Sequence, residues 1–408
     1  MEEWKDVKVS ELLQEISMGP FGSNIKVDNF IDSGVPVLNG SNLQGYKLNE
    51  DSFNYVSEEK ADSLGKANAH RGDIVITHRG TLGQIIYIPQ DSKFNRYVIS
   101  QSQFRLKLKS EIVRPDYFVY FFHTRIGQHK ILMNASQVGV PALARPTTTF
   151  KEVSIPIPPL SVQDRIMAIL LCIDDKIELD RKINSNLEEQ AMALFKSWFI
   201  DFEPFKGGKF VDSELGMIPE GWKVLSLDEI ADYLNGLAMQ KFRPTAEEDH
   251  LPVLKIKELG QGYCDGSCDI CSSNVPSQYI VNDGDVIFSW SGTLMVDVWC
   301  GGRCGLNQHL FKVTSKEYPK WFYLMWTLEH LNRFIHIAKD KAVTMGHIKR
   351  EELHKAKVVV PSTVAMNKAN MIFAPIVNEM INTRISNRKL SAVRDTLLPK
   401  LMSGEISV

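Results

Sequence analysis

A chain of 408 residues, 44% hydrophobic and 24% charged, has the composition of a globular protein of two to three domains. No apolar run approaches the ~18 residues of a membrane span and the N-terminus lacks a signal-peptide pattern, so no membrane contact and a cytoplasmic location are expected. A formal net charge of −2 excludes a global basic field, and a nucleic-acid role would need local basic faces.

Trp4-Lys5-Asp6-Val7 opens the chain, and a short helix-like piece follows at residues 10–16. The glycine-rich Gly19-Pro20-Phe21-Gly22-Ser23 neither follows a strand nor opens a clear helix, which argues against a nucleotide cradle. Gly72-Asp73 turns into the β-branched run Ile74-Val75-Ile76-Thr77 and the small polar loop His78-Arg79-Gly80-Thr81-Leu82. Ser100-Gln101, Phe104-Arg105-Leu106 and an aromatic helical segment at 116–122 come next, then a strand with proline at 153–158. After the proline brake Pro156-Ile157-Pro158-Pro159, residues 160–199 run without Gly or Pro. Within them Ile166, Leu170, Ile173, Ile177, Leu187, Ala191, Leu194 and Trp198 step by threes and fours. That is the seam of an amphipathic helix about 60 Å long, too narrow to be buried without a partner helix.

A linker at 201–219, holding Pro204, Gly207, Gly208 and Gly216, leads into a second copy of the same plan. Trp222-Lys223-Val224 answers the opening tryptophan, and residues 227–234 answer the short helix. The block from Gly284-Asp285 through Val286-Ile287-Phe288-Ser289 to Trp290-Ser291-Gly292-Thr293-Leu294 answers residues 72–82. Asn307-Gln308, Phe311-Lys312-Val313, the aromatic segment 320–327 and the strand at 358–361 complete the match. Residues 366–401 then repeat the seam, displaced by 203 positions: Ile376, Met380, Leu390, Leu397 and Leu401 answer Ile173, Ile177, Leu187, Leu194 and Trp198. Asp180 and Asn184 fall opposite Thr383 and Asn387; these polar residues either fix the register of the seam or lie just off it. Pro375 predicts that the straight part of the second helix begins after it. Residues 17–70 and 236–283 are expected to share almost nothing, a common frame carrying different loops. The plan is a module at 1–159, a long helix at 160–200, the linker, a module at 220–361, and a long helix with its tail at 362–408.

Little in the chain points to chemistry. Phosphate-loop, zinc-protease and nucleophile-elbow patterns are missing, the ten histidines are scattered, and no catalytic residue is expected. Asp174-Asp175 and Glu188-Glu189 suit the solvated face of a helix. Cys264, Cys268, Cys271, Cys300 and Cys304 could supply thiolates for zinc, but they miss the paired C-x2-C spacing; ordinary reduced cysteines and no metal site are expected. What remains is basic and amide-bearing texture, recurring in both copies.

The ordered motifs resemble those of a known family, the specificity (S) subunit of type I restriction-modification systems. They are Ile157-Pro158-Pro159-Leu160 before the first helix, and Ala193-Leu194-Phe195-Lys196-Ser197-Trp198-Phe199 at its end with Ile200-Asp201-Phe202-Glu203-Pro204-Phe205 after it. Gly216-Met217-Ile218-Pro219-Glu220-Gly221-Trp222 reopens a module, and Leu397-Leu398-Pro399-Lys400-Leu401-Met402-Ser403-Gly404-Glu405-Ile406 closes the chain. The resemblance implies an α/β (α+β) fold: two target recognition domains separated by two helices in an antiparallel coiled coil with pseudo-two-fold symmetry. The seam itself would allow parallel or antiparallel strands. It implies that each domain reads half of a bipartite double-stranded DNA target, about one helical turn or ~10 bp apart. It also implies two modification subunits that methylate adenine from S-adenosylmethionine and restriction subunits that translocate DNA with ATP and Mg, no cofactor residing in this chain. The loops then nominate Ser23, Lys26, His78, Arg79, Thr81, Gln101, Gln137 and Arg145 in the first half. In the second they nominate Lys241, Arg243, Trp290, Ser291, Thr293, Gln308, Lys341, Thr344 and His347. Arg and Lys would take phosphate or guanine, and Gln adenine or phosphate. The rival expectation is a duplicated coiled-coil scaffold that binds proteins without DNA specificity.

Overall fold

A computed structural model describes residues 4–136, 139–340 and 348–408, apart from the side chains of Ser23 and Asp340. It divides into two compact units, Met1–Asp175 with Ala392–Val408, and Lys176–Ser391. In the first unit Lys5–Lys8 pairs antiparallel with Ser154–Ile157, closing the module where its chain enters the long helix. An antiparallel sheet has the order Leu13–Met18, Gln103–Leu108, Ile74–Thr77, Ile85–Tyr87. A second sheet has the order Asn54–Val56, Val35–Val37, Arg96–Val98, Asn68–His70, its central pair parallel. The Ile74–Thr77 strand is buried throughout and apolar through Ile76 because both its faces are covered: Ile74 and Ile76 enter one core, Val75 the other. The segment 116–122 packs Phe118 and Phe122 against Phe150 with no exposed ring surface, worth ~2–3 kcal/mol for each ring.

The second unit repeats this plan. Lys223–Ser226 pairs with Lys357–Val360. One sheet has the order Asp232–Asn235, Leu310–Thr314, Val286–Ser289, Met295–Val298, and the other Ile270–Ser272, His250–Leu254, Cys304–Leu306, Ile280–Val281. Again the central pair of the second sheet is parallel. This corrects the expectation that residues 17–70 and 236–283 share almost nothing. Both hold that central strand, written Pro36-Val37-Leu38 and Pro252-Val253-Leu254, and both then reach a Gly-Tyr step with the glycine left-handed, Gly45 at φ 85° and Gly262 at φ 81°. The segments between these anchors differ by a single residue in length, and it is their different residues that hide the match.

The first long helix runs Leu160–Phe195 and ends in a π-helical turn, Lys196–Ile200. The second runs Thr363–Met402, straight through Pro375, so the start predicted after the proline is wrong. Pro375 and Met371, whose carbonyl loses its helical donor, are both exposed, and solvent can take the place of the missing N–H. Within each unit the two helices are antiparallel. In the first, Arg394 bonds Asp174 at 2.6 Å and Arg165 bonds the Val408 carbonyl at 2.9 Å. In the second, Asn387 donates to the Ile177 carbonyl at 3.3 Å while Trp198 meets Phe373 with ring centroids 6.3 Å apart.

Ile166, Leu170, Ile177 and Leu401 are buried; Ile173, Leu187, Leu194, Trp198, Ile376, Met380, Leu390 and Leu397 are half-buried. The fully buried stripe of the second helix is Ala369, Phe373, Val377 and Ile381, one position round from Ile376 and Met380. This part of the helix packs into the core of its module as well as along the first helix. Asp180 and Thr383 are 2% and 7% exposed, which places both polar residues on the buried side.

Candidate nucleic-acid interface

In the first unit one end of the four-stranded antiparallel sheet gathers four loops. Gly19 N–H donates to the Gln103 carbonyl, His78 N–H to Ser102, Gly80 N–H to Pro141 and Leu143 N–H to His78, each at 2.8 Å. These bonds lash the loops carrying Phe21, Arg79, Gln101 and Arg145 into one surface. A Cβ on Gly19 would lie 2.0 Å from the Ser100 carbonyl oxygen, so that position needs glycine for close approach, whereas one on Gly22 would meet only the flexible end of the Gln101 side chain.

On that surface Lys26, Arg79, Thr81, Gln101 and Arg145 are exposed. Arg145 sits in the left-handed region at φ 46°, a strain of order 1 kcal/mol for a non-glycine residue. His78 is half-buried, and its Nε2 donates to the Gln101 carbonyl at 3.1 Å. Burial pushes its pKa below the usual histidine value, so it serves as a neutral donor and not as a phosphate-binding cation. Ser23 lies in the turn Gly22–Asn24, its side chain outside the description. Gln137, Lys341, Thr344 and His347 lie outside the described residues.

The second unit repeats three of these four bonds: Gly236 N–H to the Leu310 carbonyl at 3.0 Å, Trp290 N–H to His309 at 3.4 Å, Ile348 N–H to Trp290 at 3.1 Å. Lys241, Arg243 and Thr293 are exposed and Gln308 is half-buried. Two nominated residues need correction. Ser291 is 4% exposed and its hydroxyl pairs with His309 Nδ1 at 2.9 Å, so it braces the loop instead of presenting a group to solvent. Trp290 packs on Phe311, ring centroids 5.7 Å apart, and its indole N–H bonds Asn235 Oδ1 at 2.9 Å; it too is a brace. Composition alone does not separate a packed aromatic from a base-stacking one.

Phe21, which no sequence motif nominates, is 84% exposed, together with Val27 at 81% and Val140 at 57%. Asn235 and His309, equally unmarked in the sequence, fix the second loop set through Trp290 and Ser291. The signal available was the glycine ending the second strand of each module, Gly19 and Gly236. Among the described residues no group of three or more His, Cys, Asp or Glu is arranged to hold a metal ion. No described helix is long and apolar enough to cross a membrane.

Two α/β modules that present the same lashed loop set, each continuing into a long helix, define a duplicated recognition protein. The family model for the type I restriction modification DNA specificity domain matches residues 1–189 and again 219–388, and the chain belongs to this family. It is 27% identical over 425 positions to the type I restriction enzyme MjaIX specificity subunit of Methanocaldococcus jannaschii, covering 99% of this chain and 94% of that one. It is 20% identical to the HindI specificity subunit of Haemophilus influenzae, with both chains covered completely. The fold is similar to the crystal structure of the type I S subunit from M. genitalium, with TM-score 0.56 and 15% identity over 98% of this chain and 96% of that one. The general role of the family is recognition of a DNA target.

Proposed function

We propose that residues 1–159 and 220–361 each read one half of a bipartite double-stranded DNA site and that the long helices set the spacing between the halves. The observation that carries this reading is the recurrence of one loop-lashing pattern in both units, with exposed Lys26, Arg79 and Arg145 on the first and Lys241 and Arg243 on the second. Exposed cations at these positions take phosphates, and the amides and hydroxyls beside them reach base edges. This chain contributes recognition and not catalysis. Two modification subunits would supply adenine methylation from S-adenosylmethionine, and restriction subunits ATP- and Mg-dependent translocation and cutting, all in the cytoplasm.

The test exchanges residues 1–158 for the corresponding part of a second specificity subunit and maps the methylated sequence in the host genome. One half of the target should change and the other stay; a change in both halves refutes the division of labour. Wild-type binding to DNA should fall steeply with salt and survive non-specific competitor. Loss of sequence preference under competitor would favour the protein scaffold.

A further inference from the structure

In the second unit a small apolar cleft, partly open to solvent, lies between the module and the long helices. Val298 and Leu324 from the module and Ala191 and Val377 from the helices form the floor, and Glu188 stands with the Asp297–Arg384 ion pair at the edge. The corresponding place in the first unit can be followed residue by residue. Val298 closes the pairing with Val286 as Tyr87 does with Ile74. Leu324 is the fifth residue after Pro319, as Tyr120 is after Pro115. The 203-residue displacement carries Asp174 onto Val377 and Ala191 onto Arg394. In the first unit Tyr46 fills that place: its ring stacks on Tyr120 with centroids 4.0 Å apart, Arg394 lies 5.1 Å over its face, and its carbonyl accepts the Tyr87 N–H at 3.2 Å.

The counterpart of Tyr46 in the second module is Tyr263, the residue after the left-handed Gly262, and it is 53% exposed. Both ends of the main-chain link that would seat it are otherwise engaged. Val298 N–H donates to the Asp297 carboxylate at 2.8 Å, and the Tyr263 carbonyl accepts Gln261 Nε2 at 2.6 Å. The next residue, Cys264, packs against a separate core that contains Cys304.

We propose that this cleft receives an aromatic side chain, a tyrosine for preference, carried by a partner polypeptide. The first unit shows the complementary occupant in its own Tyr46. The apolar floor suits the ring, and the carboxylates of Glu188 and Asp297 at the edge suit a phenol hydroxyl as acceptors. The site stands on the structure alone; that its partner is a modification subunit rests on the function proposed above.

Both parts are tested on the full chain. The probe p-cresol, an isolated tyrosine side chain, is expected to bind with a Kd on the order of 1 mM. Met192→Trp and Leu328→Trp, at partly exposed wall positions, should each weaken p-cresol by tenfold or more with the melting temperature retained, and weaken association with the purified modification subunit similarly. Failure of p-cresol to bind overturns the site. If Tyr263→Ala raises p-cresol affinity tenfold, Tyr263 occupies the cleft in solution and the partner is excluded. Undiminished association with the subunit in both tryptophan variants overturns the partner as well. A wild-type chain that forms no complex with the subunit contradicts the proposed function, and p-cresol alone then decides the site.

Discussion

Phe21 separates the two modules most sharply at the level of single residues. It is 84% exposed on a turn closed by the Asn24 N–H on its own carbonyl, whereas Met239 on the corresponding turn of the second module is 2% exposed inside a core. An exposed apolar ring on a loop bonded into the same surface as those of Arg79 and Arg145 is suited to a thymine methyl or a base step. Phe21→Ala should leave the melting temperature unchanged, weaken binding about tenfold at the first half-site, and leave the second unaltered, as read by competition with half-site-substituted duplexes. Arg79→Ala should act differently, weakening all sequences and lowering the salt slope by about one. Ser291→Ala removes a buried partner of His309 and should reduce stability by about 1 kcal/mol in urea unfolding. The histidines add a pH dependence. Burial holds His78, His123 and His330 below the ordinary 6.5, so the unfolded chain binds more protons than the folded one. The stability they contribute is present above about pH 6.5 and lost as pH falls through their folded values. Melting temperatures measured from pH 8 to pH 5 should therefore fall on the acid side, and His123→Gln should flatten that fall.

Elements were legible where the same physics acts on every residue of a run. Ile74–Thr77 and Val286–Ser289 lie between two cores, so their apolar continuity marks them in both copies. The long helices were legible from their seam, but Pro375 misled because what decides is which side its missing hydrogen bond faces, and that is tertiary information. Which side chains brace a loop and which reach outward was illegible for the same reason: Trp290 and Ser291 look like contacts until Asn235 and His309 are seen to hold them. Equally hidden were the clamps between helix and module. Arg384 grips Asp297 through two bonds of 2.6 Å, and Arg388 grips Asp283 at 2.7 and 2.8 Å. The Asp297 pair is about one-third exposed, so screening reduces its worth. Asp297→Ala still leaves Arg384 against apolar neighbours and should destabilise the chain by about 2 kcal/mol, while a further Arg384→Met change should recover part of that loss.

The whole molecule raises the question of what the paired helices are for, since two shorter connections would suffice to join two modules. Residues at the seam return to the same face every seven positions, so a seven-residue insertion keeps the pairing whereas a five-residue one turns the following seam by about 140°. Asp180 and Thr383, buried in the pairing, would make such a rotation costly because a carboxylate and a hydroxyl would then face new neighbours. The paired experiment inserts seven residues in the first helix and seven at the matching point of the second. Each insertion adds about 10.5 Å of helix, close to the rise of three base pairs. If the helices set the distance between half-sites, the methylated target should keep both halves and lengthen its central gap by about 3 bp, while five-residue insertions should lose stability and methylation together. A folded seven-residue variant that still methylates the original spacing would show that the distance is set elsewhere in the assembly, and the helices would then be joints and not rulers.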